Sequence, residues 1–509
     1  MKVLNIGKYL PLIIGLILLL ISNGRWIVPI AVWLCFIFLL RFFRSQKSWW
    51  HILIGTIAYI GVFCIAWQGL IKFPGMMFYA IAGGIGLAFF VPFVIDKFIS
   101  PRVSEFMATL VFPLAWTSVE FIGFQLSPFG TWGSLAYTQY GNLPFMQIVS
   151  ITGIYGLTFL ITWFASVVNW IWEQKFDWSK IRKGVAIYAG VMATVLLYGG
   201  LYLVFLSPKS NEVKIAGVQS HITEETLKSA VDRLNTHDYS EESWNYFFSK
   251  TNIIVDDLFA KSEAVAKGGA KIVSWTENPV MIRKGDEPAF IERGARLAKQ
   301  EQIYLALNYS INLNADPRKA PAEKFWSTRT VIVGPTGEVL SKYRKTILVP
   351  GFEATIAESG NDDVAVVNTP YGRISSLICY DNDFPAFVRR QVGKKGIDIL
   401  FDPSGDWKEI DPYHTNMMAF RAIENGFSVV RVTFQGLSAA YDYQGRTLTT
   451  MDYFKTDDKI FTAYVPEKGI KTIYSQIGDV FAWLSIVSLV ALIGHAILKS
   501  RTFRNRAKS

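Results

Sequence analysis

The chain has 509 residues, of which 51 are Lys or Arg and 41 are Asp or Glu, so its formal net charge is +10. It has only three cysteines, no CxxC pair and five histidines. This composition argues against a disulfide framework and against a zinc site, and we expect neither a metal nor a cofactor. The positive excess lies in short loops between apolar runs, which indicates membrane topology and not a nucleic-acid partner.

Long apolar runs dominate the first part of the chain and its end. A membrane-spanning helix needs about 20 largely apolar residues, and the segments that fit are 9–23, 26–43, 49–71, 76–98, 105–124, 145–172, 184–206 and 477–498. We therefore predict an α-helical transmembrane bundle of about eight spans. Residues 1–210 are predicted to form an N-terminal bundle of about seven helices, and residues 471–509 a last transmembrane helix with a basic tail.

Basic residues orient these spans. The loops after the second, fourth and sixth spans and the C-terminal tail are rich in Lys and Arg, whereas the loops between them carry almost no charge. Because loops rich in Lys and Arg stay in the cytoplasm, both termini are predicted to be cytoplasmic and residues 211–470 to lie outside. In a bacterium this describes a multi-pass protein of the cell (inner) membrane with a periplasmic or external domain.

One loop of the predicted bundle, residues 125–144, has many Gly, Pro and aromatic residues but no charged residue. This composition suits a segment that lies at the membrane interface or re-enters the bundle. Two interpretations stay open here: an interfacial belt of aromatic residues, and a surface that handles lipid.

Residues 211–470 have the pattern of a soluble domain. Apolar runs of strand length occur at 213–219, 271–277, 303–311, 328–334, 373–381, 397–403 and 427–433, and helical patterns at 246–266, 286–300 and 412–425. Strands that alternate with helices predict a layered α/β domain.

Two charged residues of this domain lie at or just after the end of a strand. Glu277 ends an apolar strand and precedes Asn-Pro, so its carboxylate can be partly desolvated and act as a base. Lys345 ends a short strand, EVLSKYRK, and can supply positive charge where an oxyanion develops. Each residue, taken alone, is also typical of a solvated surface.

Cys379 is the only thiol of this domain and follows an apolar strand directly. A strand-to-turn elbow of this form exposes the sulfur and directs backbone N–H groups towards a reacting carbonyl. A buried structural cysteine is the alternative. His414 is the main histidine candidate for a partner, but it lies in a helical pattern. If Cys379 is a nucleophile, we expect its base to be a carboxylate.

Together these segments resemble the nitrilase, or carbon–nitrogen hydrolase, superfamily and, within it, the bacterial apolipoprotein N-acyltransferases. WTENP (275–279) is similar to the family's W-P-E-x-x-x-P, YRKTILVP (343–350) to Y-x-K-x-x-L-V-P, and ICYD (378–381) to I-C-Y-E. In the apolar part, residues 129–139 resemble F-P-W-x-x-x-G-Y-S-Q, and SITGIYGLTF (150–159) resembles S-x-x-G-x-Y-G-x-S-F. The resemblance extends over nearly the whole chain.

This resemblance implies an αββα sandwich and an enzyme that moves an acyl chain from a phospholipid, through a Cys379 thioester, to the N-terminal amine of a lipoprotein. It implies catalytic roles for Glu277, Lys345 and Cys379. It implies oxyanion or supporting roles for Tyr380, Glu353 and Asp381, and substrate binding by Trp132, Tyr137, Phe352 and Trp407.

Several loop positions depart from the family pattern. Ile347 stands where the family has His, Gly351 shifts the glycine of an F-G-E loop, and Asp381 replaces a Glu. Gly405 and Phe434 replace Asn residues of the S-N-D and T-N-x-G motifs. Two other functions stay open: a membrane-tethered carbon–nitrogen hydrolase (amidase), in which water takes the place of the amine, and a non-catalytic nitrilase-like protein that binds lipid or lipoprotein.

Overall fold

The structure is a computed structural model, and the residues that it describes are 6–220, 223–235, 240–313, 324–361 and 363–506. The chain divides into two compact units. The first, the membrane unit, combines Met1–Leu206 with Ile477–Ser509, and the second, the sandwich unit, is Ser207–Gln476. The last three residues of the predicted basic tail, 507–509, lie outside the described residues.

The membrane unit consists of apolar helices joined by short loops. Its helices before the sandwich unit are α1 (Ile6–Leu20), α2 (Pro29–Ser45), α3 (Trp49–Trp67), α4 (Met76–Ile99), α5 (Val111–Leu126), α6 (Leu143–Met146), α7 (Val149–Thr152), α8 (Ile154–Glu173) and α9 (Trp178–Phe205). Within the described residues, six helices are long and apolar enough to cross a membrane: Trp49–Trp67, Met76–Arg102, Glu105–Leu126, Ile154–Glu173, Trp178–Phe205 and Val480–Lys499. Helices α1 and α2 are shorter, with 15 and 17 residues.

The span predicted at 145–172 is not one continuous helix. It is divided into α6, α7 and α8, and the chain turns at Gly153, whose φ is +62°. A residue in this left-handed region cannot continue an α-helix, and glycine adopts it without a Cβ penalty. Prediction of a single helix was therefore wrong here, because the apolar run continues through a residue that changes the direction of the backbone.

The uncharged loop between α5 and α6 is folded into the membrane unit. Its middle part is a 3₁₀ helix, Leu135–Gln139, whose residues are all buried. Ser134 Oγ donates a hydrogen bond to Glu120 Oε1 over 2.7 Å, and Asn23 Nδ2 donates to the carbonyl of Gly133 over 2.7 Å. These contacts give the loop's polar groups partners inside the unit, as a re-entrant segment requires.

The sandwich unit contains the strands β1 (Glu212–Val218), β2 (Ile272–Trp275), β3 (Met281–Arg283), β4 (Tyr304–Asn312), β5 (Trp326–Val333), β6 (Val339–Arg344), β7 (Val367–Thr369), β8 (Gly372–Ser376), β9 (Ile399–Gly405), β10 (Ser428–Phe434), β11 (Leu437–Tyr441), β12 (Thr447–Asp452) and β13 (Ile460–Pro466). Its helices are α10 (Thr223–Asn235), α11 (Glu241–Lys267), α12 (Glu287–Glu301), α13 (Phe352–Ile356), α14 (Pro385–Val388) and α15 (Tyr413–Asn425). The chain then continues through α16 (Ile473–Ile477) and α17 (Val480–Arg506).

The strands form two mixed sheets. One has the order β13-β1-β2-β4-β5-β6, with β3 on β4, and the other has the order β12-β11-β10-β9-β8-β7. β1, β2 and β4 run parallel, as do β8, β9 and β10, and the outer strands are antiparallel. Parallel neighbours need helical crossovers, which α11 and α15 help to supply.

Apolar side chains hold the layers together. Ile215 and Ile272 of the first sheet pack against Ile399 and Val430 of the second in one buried cluster. On the outer face of the first sheet, α11 and α12 close another cluster, which includes Leu258. All eight predicted strands, including the short strand EVLSKYRK that corresponds to β6, and the three predicted helices are present with ends within five residues of the prediction. The predicted layered α/β domain is therefore confirmed.

Candidate active site

Three strands bring their carboxyl ends to one edge of the sandwich. β2 ends just before Glu277, β8 ends just before Cys379, and β9 ends at Gly405. The two sheets are joined at this edge, because Thr276 Oγ1 donates to the carbonyl of Ser404 over 2.7 Å and Gly405 N–H donates to Glu277 Oε2 over 2.9 Å. Side chains from both sheets therefore meet here.

Cys379 occupies a sharp turn that begins three residues after the end of β8. Its φ is +48°, a conformation that residues with a side chain rarely adopt, and it begins the 3₁₀ turn Cys379–Asp383. The backbone N–H of Cys379 donates to Asp402 Oδ1 over 3.1 Å, and its Sγ lies 3.9 Å from the carbonyl oxygen of Gly405. Cys379 is only 3 % exposed. A strained elbow of this kind is typical of a nucleophile that must be presented at the top of a sheet.

Lys345 lies between two carboxylates. Its Nζ donates to Glu277 Oε1 over 2.8 Å and to both oxygens of Glu353 over 2.9 Å. Glu353 also accepts the backbone N–H of Val349 over 2.7 Å. This bond holds the carboxylate of Glu353 against the loop that follows Lys345, and so helps to hold the ammonium. We call Glu277, Lys345 and Glu353 the lysine cluster.

Burial and neighbouring charges shift the protonation of these groups. Burial, and then the nearby Glu277 carboxylate, raises the pKa of the Cys379 thiol well above its ordinary value. Burial also raises the pKa of Glu277, although Lys345 opposes this shift. For Lys345, burial disfavours the charged form, but Glu277 and Glu353 outweigh it and raise its pKa. The site therefore holds a neutral thiol beside a carboxylate and an ammonium.

Asp381 joins the cysteine turn to the lysine loop. Its carboxylate accepts the backbone N–H groups of Ile347 over 2.7 Å, Thr346 over 3.2 Å and Ile378 over 3.1 Å, and the hydroxyl of Tyr343 over 2.8 Å. Burial raises the pKa of Asp381 to about 7 against the effect of these bonds. Position 347 contributes its backbone N–H, which Ile supplies as well as His, so this departure leaves the contact intact.

Near Cys379 lies a second buried ionic group. The sequence did not predict this group, although His414 was considered as a partner of Cys379. Its members, which we call the arginine cluster, are Asp383, Asp402, Asp406, His414 and Arg431. Arg431 donates to Asp402 Oδ2 and, over 2.9 Å, to Asp406 Oδ1, while His414 lies 2.8 Å from Asp406 Oδ1 and 2.9 Å from Asp383 Oδ1. The signal was a charged residue inside an apolar strand, as in FSVVRVT (427–433), because a buried charge needs a partner.

One group of this region has the composition of a metal site. Ligand atoms of Cys379, Asp406 and His414 lie within 4.8 Å of one another. However, the Nη2 of Arg431 is 2.9 Å from Asp406 Oδ1 and 2.8 Å from His414 Nδ1. The positively charged guanidinium already neutralises these ligand groups and would repel a metal ion. These residues therefore fit an ion network better than a metal centre.

The remaining predicted site residues are divided between the units. Phe352 begins α13 and is 75 % exposed, and Trp407 is half-buried just after β9. In the membrane unit, Trp132 is half-buried and Tyr137 is buried, with its hydroxyl 2.6 Å from Thr131 Oγ1. Phe352 is thus the most exposed of the four.

The buried aromatic residue next to the cysteine, Tyr380, packs its ring edge-on against Phe384 at 5.5 Å between centroids. Among the altered loop positions, Gly351 has a φ of +98°, which explains a glycine there. A Cβ at Gly405 would lie 3.5 Å from Glu277 Oε2, an ordinary contact, so no steric conflict demands a glycine. Phe434 packs against Tyr453 at 5.1 Å between centroids.

Two family models match the chain. The carbon–nitrogen hydrolase model matches residues 218–472, about half of the chain, and the model of the apolipoprotein N-acyltransferase N-terminal domain matches residues 15–167. Similar proteins named apolipoprotein N-acyltransferase include one from Geobacter metallireducens, 26 % identical over 78 % of this chain and 74 % of its own. Another, from Chlorobaculum tepidum, is 25 % identical over 97 % of both chains.

Solved structures of an amidase from Nesterenkonia sp. are similar to part of the chain. One of them, with a covalent acetamide adduct at its active-site cysteine, covers 53 % of this chain and 95 % of its own at 17 % identity, with a TM-score of 0.39.

Proposed function

The chain belongs to the carbon–nitrogen hydrolase family, and from that premise we propose that it is a membrane N-acyltransferase that moves an acyl chain from a phospholipid, through a Cys379 thioester, to the N-terminal amine of a lipoprotein. The observation that carries this proposal is Cys379 at a strained elbow, beside a carboxylate and an ammonium held by that carboxylate. Transfer is favoured over hydrolysis because the matched N-terminal domain is that of apolipoprotein N-acyltransferases.

In the first step, Glu277 takes the proton of the Cys379 thiol, and the sulfur attacks the ester carbonyl carbon of the phospholipid. The negative charge that develops on the carbonyl oxygen is stabilised by Lys345 and by the backbone N–H of Tyr380, at about 3–4 kcal/mol for each well-placed donor. The carbon–oxygen bond then breaks, and Glu277 returns the proton to the departing lysophospholipid. Cys379 is left as a thioester.

In the second step, the neutral amine of the lipoprotein's N-terminal residue attacks the thioester carbonyl. Glu277 takes a proton from the amine, the carbon–sulfur bond breaks, and the proton passes to the Cys379 sulfur. An amide forms and the thiol is restored. Glu353 keeps Lys345 in place, and Asp381 keeps the lysine loop against the cysteine turn through both steps.

The membrane unit has a physical purpose in this reaction. Both proposed substrates carry acyl chains, and moving such a chain into water costs about 0.8 kcal/mol for each CH₂. A catalytic domain tethered to the membrane avoids that cost. We assign substrate binding to Phe352 and Trp407 of the sandwich unit and to Trp132 and Tyr137 of the membrane unit.

We also propose about eight spans, with both termini in the cytoplasm and residues 211–470 outside the bacterial inner membrane. α1 and α2 rise about 23 and 26 Å, at about 1.5 Å for each residue, so they cross a core of about 30 Å only if the bilayer thins locally. A cysteine placed at the exposed Phe352 tests the orientation. A membrane-impermeant thiol reagent should label F352C in intact cells, and labelling only after the inner membrane is opened would contradict it.

The chemistry is tested by intact mass spectrometry of the purified protein with a defined phospholipid. Wild type should gain one acyl mass that hydroxylamine removes, whereas C379A should gain none. A diacylglyceryl lipopeptide added next should receive the acyl chain on its amine.

Two results would contradict the proposal. Release of free fatty acid alone, with an amide substrate cleaved by water, would favour the amidase. Lipid binding without an adduct on either protein would favour a non-catalytic binding protein.

A further inference from the structure

His414 connects the two loops on which the proposed chemistry depends. It lies in the first turn of α15 and is 2 % exposed. Its Nε2 is 2.9 Å from Asp383 Oδ1, and Asp383 ends the turn that begins with Cys379. Its Nδ1 is 2.8 Å from Asp406 Oδ1, and Asp406 follows Gly405. One imidazole ring therefore bridges the nucleophile's turn and the loop that contacts the base.

Both loops contact the reacting groups through their backbone. Gly405 N–H donates to Glu277 Oε2 over 2.9 Å, and the Gly405 carbonyl oxygen lies 3.9 Å from the Cys379 sulfur. Asp402, held by Arg431, accepts the N–H of Cys379 over 3.1 Å. A shift of either loop would change the distance between Glu277 and the sulfur.

We propose that His414 is a positioning residue that, as a doubly protonated imidazolium, clamps the Cys379 turn to the Gly405 loop through Asp383 and Asp406. This role deepens the proposed function and rests on it. His414 is not the general base, because each of its ring nitrogens already faces a carboxylate oxygen at hydrogen-bond distance.

The geometry favours the charged ring. A neutral imidazole has one N–H, so its other nitrogen would turn a lone pair towards a carboxylate oxygen less than 3 Å away. The opposing contact is Arg431 Nη2, which lies 2.8 Å from Nδ1 and can donate to a neutral ring. The attraction of two carboxylates in direct contact with the charged ring is stronger than the repulsion by one guanidinium. Asp402 also neutralises part of the guanidinium's charge.

The protonation of the ring agrees with this geometry. Burial disfavours the charged form and Arg431 opposes it, but Asp383 and Asp406 raise the pKa of His414 to about 9. The charged groups that face the ring come from three elements: the cysteine turn, the loop after β9, and β10. Because the folded-state pKa is above the ordinary value of about 6.5, the contribution to stability is complete below about pH 6.5 and is lost as the pH rises through about 9.

The first test measures the titration of His414 itself. Histidine labelled with ¹³C in the ring is incorporated into the full chain in detergent, and H414Q identifies the signal of His414 among the five histidines. We expect a titration midpoint near 9 in wild type. D383N should lower the midpoint towards about 6.5. A wild-type midpoint at or below about 6.5 would overturn the charged clamp.

The second test measures Cys379 without any acyl donor. Alkylation of the Cys379 peptide by iodoacetamide is followed by mass spectrometry from about pH 6 to about pH 10. We expect H414Q to change this rate several-fold near neutral pH and to remove the break that we expect near 9 in the wild-type pH profile. In the separate assay with phospholipid, H414Q should slow thioester formation by roughly 10- to 100-fold. A rate and a profile equal to those of wild type would sink the proposal.

D442N is the matched control. Asp442 is buried and accepts the backbone N–H groups of Gln444 and Arg446 in the turn after β11, and these partners lie outside the arginine cluster. This variant should unfold at a lower temperature but keep the break near pH 9 in the alkylation profile. Loss of the break in D442N would show that the break reports general destabilisation, and it would overturn the clamp. If wild type forms no thioester but the titration and alkylation results are as expected, the clamp by His414 is supported and the proposed acyl transfer is contradicted.

Discussion

Two buried ionic groups flank Cys379, and they are built differently. The lysine cluster has one flexible ammonium between two carboxylates, and Glu353 on its outer side is 18 % exposed. The arginine cluster has a planar guanidinium and a planar ring, and its members are almost completely buried. An ammonium is a point charge that can follow a developing oxyanion, whereas a guanidinium is a rigid fork. For the proposed reaction, this arrangement places flexible charge where charge must move and rigid charge where distances must be kept.

This comparison separates rate from stability. Isosteric changes in the lysine cluster should lower the rate of thioester formation and leave the free energy of unfolding nearly unchanged. Changes in the arginine cluster should lower the free energy of unfolding first, because breaking a fully buried ion pair costs about 3–5 kcal/mol. Four variants can break or sharpen this distinction.

The largest effect is expected for E277Q. Glutamine keeps the shape of the side chain but cannot take the thiol proton, so thioester formation should slow by roughly 10²- to 10⁴-fold, with thermal unfolding close to wild type. The rate is measured by intact mass spectrometry. E287Q is the control, since Glu287 is also ion-paired, to Arg329, but lies outside the site. A rate for E277Q within a few-fold of wild type would remove Glu277 as the base.

R431K should lower the free energy of unfolding by about 3 kcal/mol, because lysine keeps the charge but cannot reach Asp402 and Asp406 together. Denaturant unfolding measures this change. R421K is matched in burial, since Arg421 is fully buried and paired to Glu424 at 2.9 Å. R431K should also slow thioester formation in the folded protein, whereas R421K should not. Equal rates in the two variants would make the arginine cluster purely structural.

D381N should lower the free energy of unfolding by about 1–3 kcal/mol, because an amide cannot accept all the hydrogen bonds that the carboxylate accepts. D381E restores the carboxylate and the family's own residue, so thioester formation should recover in D381E and not in D381N. Failure of D381E to recover, with normal unfolding, would mean that side-chain length matters more than charge at the junction of the two loops.

F352A should have the smallest effect on the fold. Phe352 is 75 % exposed, so its loss should change the free energy of unfolding by no more than about 0.5 kcal/mol. If it binds substrate, the KM for phospholipid should rise several-fold at constant kcat. F454A, at a second exposed phenylalanine, should leave KM unchanged. An equal rise of KM in both variants would indicate loss of general membrane affinity and not a binding site.

The amino-acid sequence by itself predicted the division into apolar helical segments and an α/β domain, and it located many of the strands and helices of that domain. Apolar runs of strand length located β1, β2, β4, β5, β8, β9 and β10, and helical patterns located α11, α12 and α15. Glu277, Lys345 and Cys379 were candidates because each comes at or near a strand end, and the family resemblance then implied their catalytic roles. The strands β3 and β7, with three residues each, were missed because they are too short to form a recognisable apolar run. The strands β11, β12 and β13, with five to seven residues, were not predicted either.

Only the tertiary structure decided which charges share the site. Asp383, Asp402, Asp406, His414 and Arg431 come from different strands, turns and helices, and nothing in their spacing along the chain brings them together. Their distances are set by the packing of two sheets and of α15 on the second sheet, and so is the reach of Asp381 to the lysine loop. Local sequence controls backbone period and strand ends through short-range sterics, whereas the pairing of buried charges depends on long-range packing that no single segment contains.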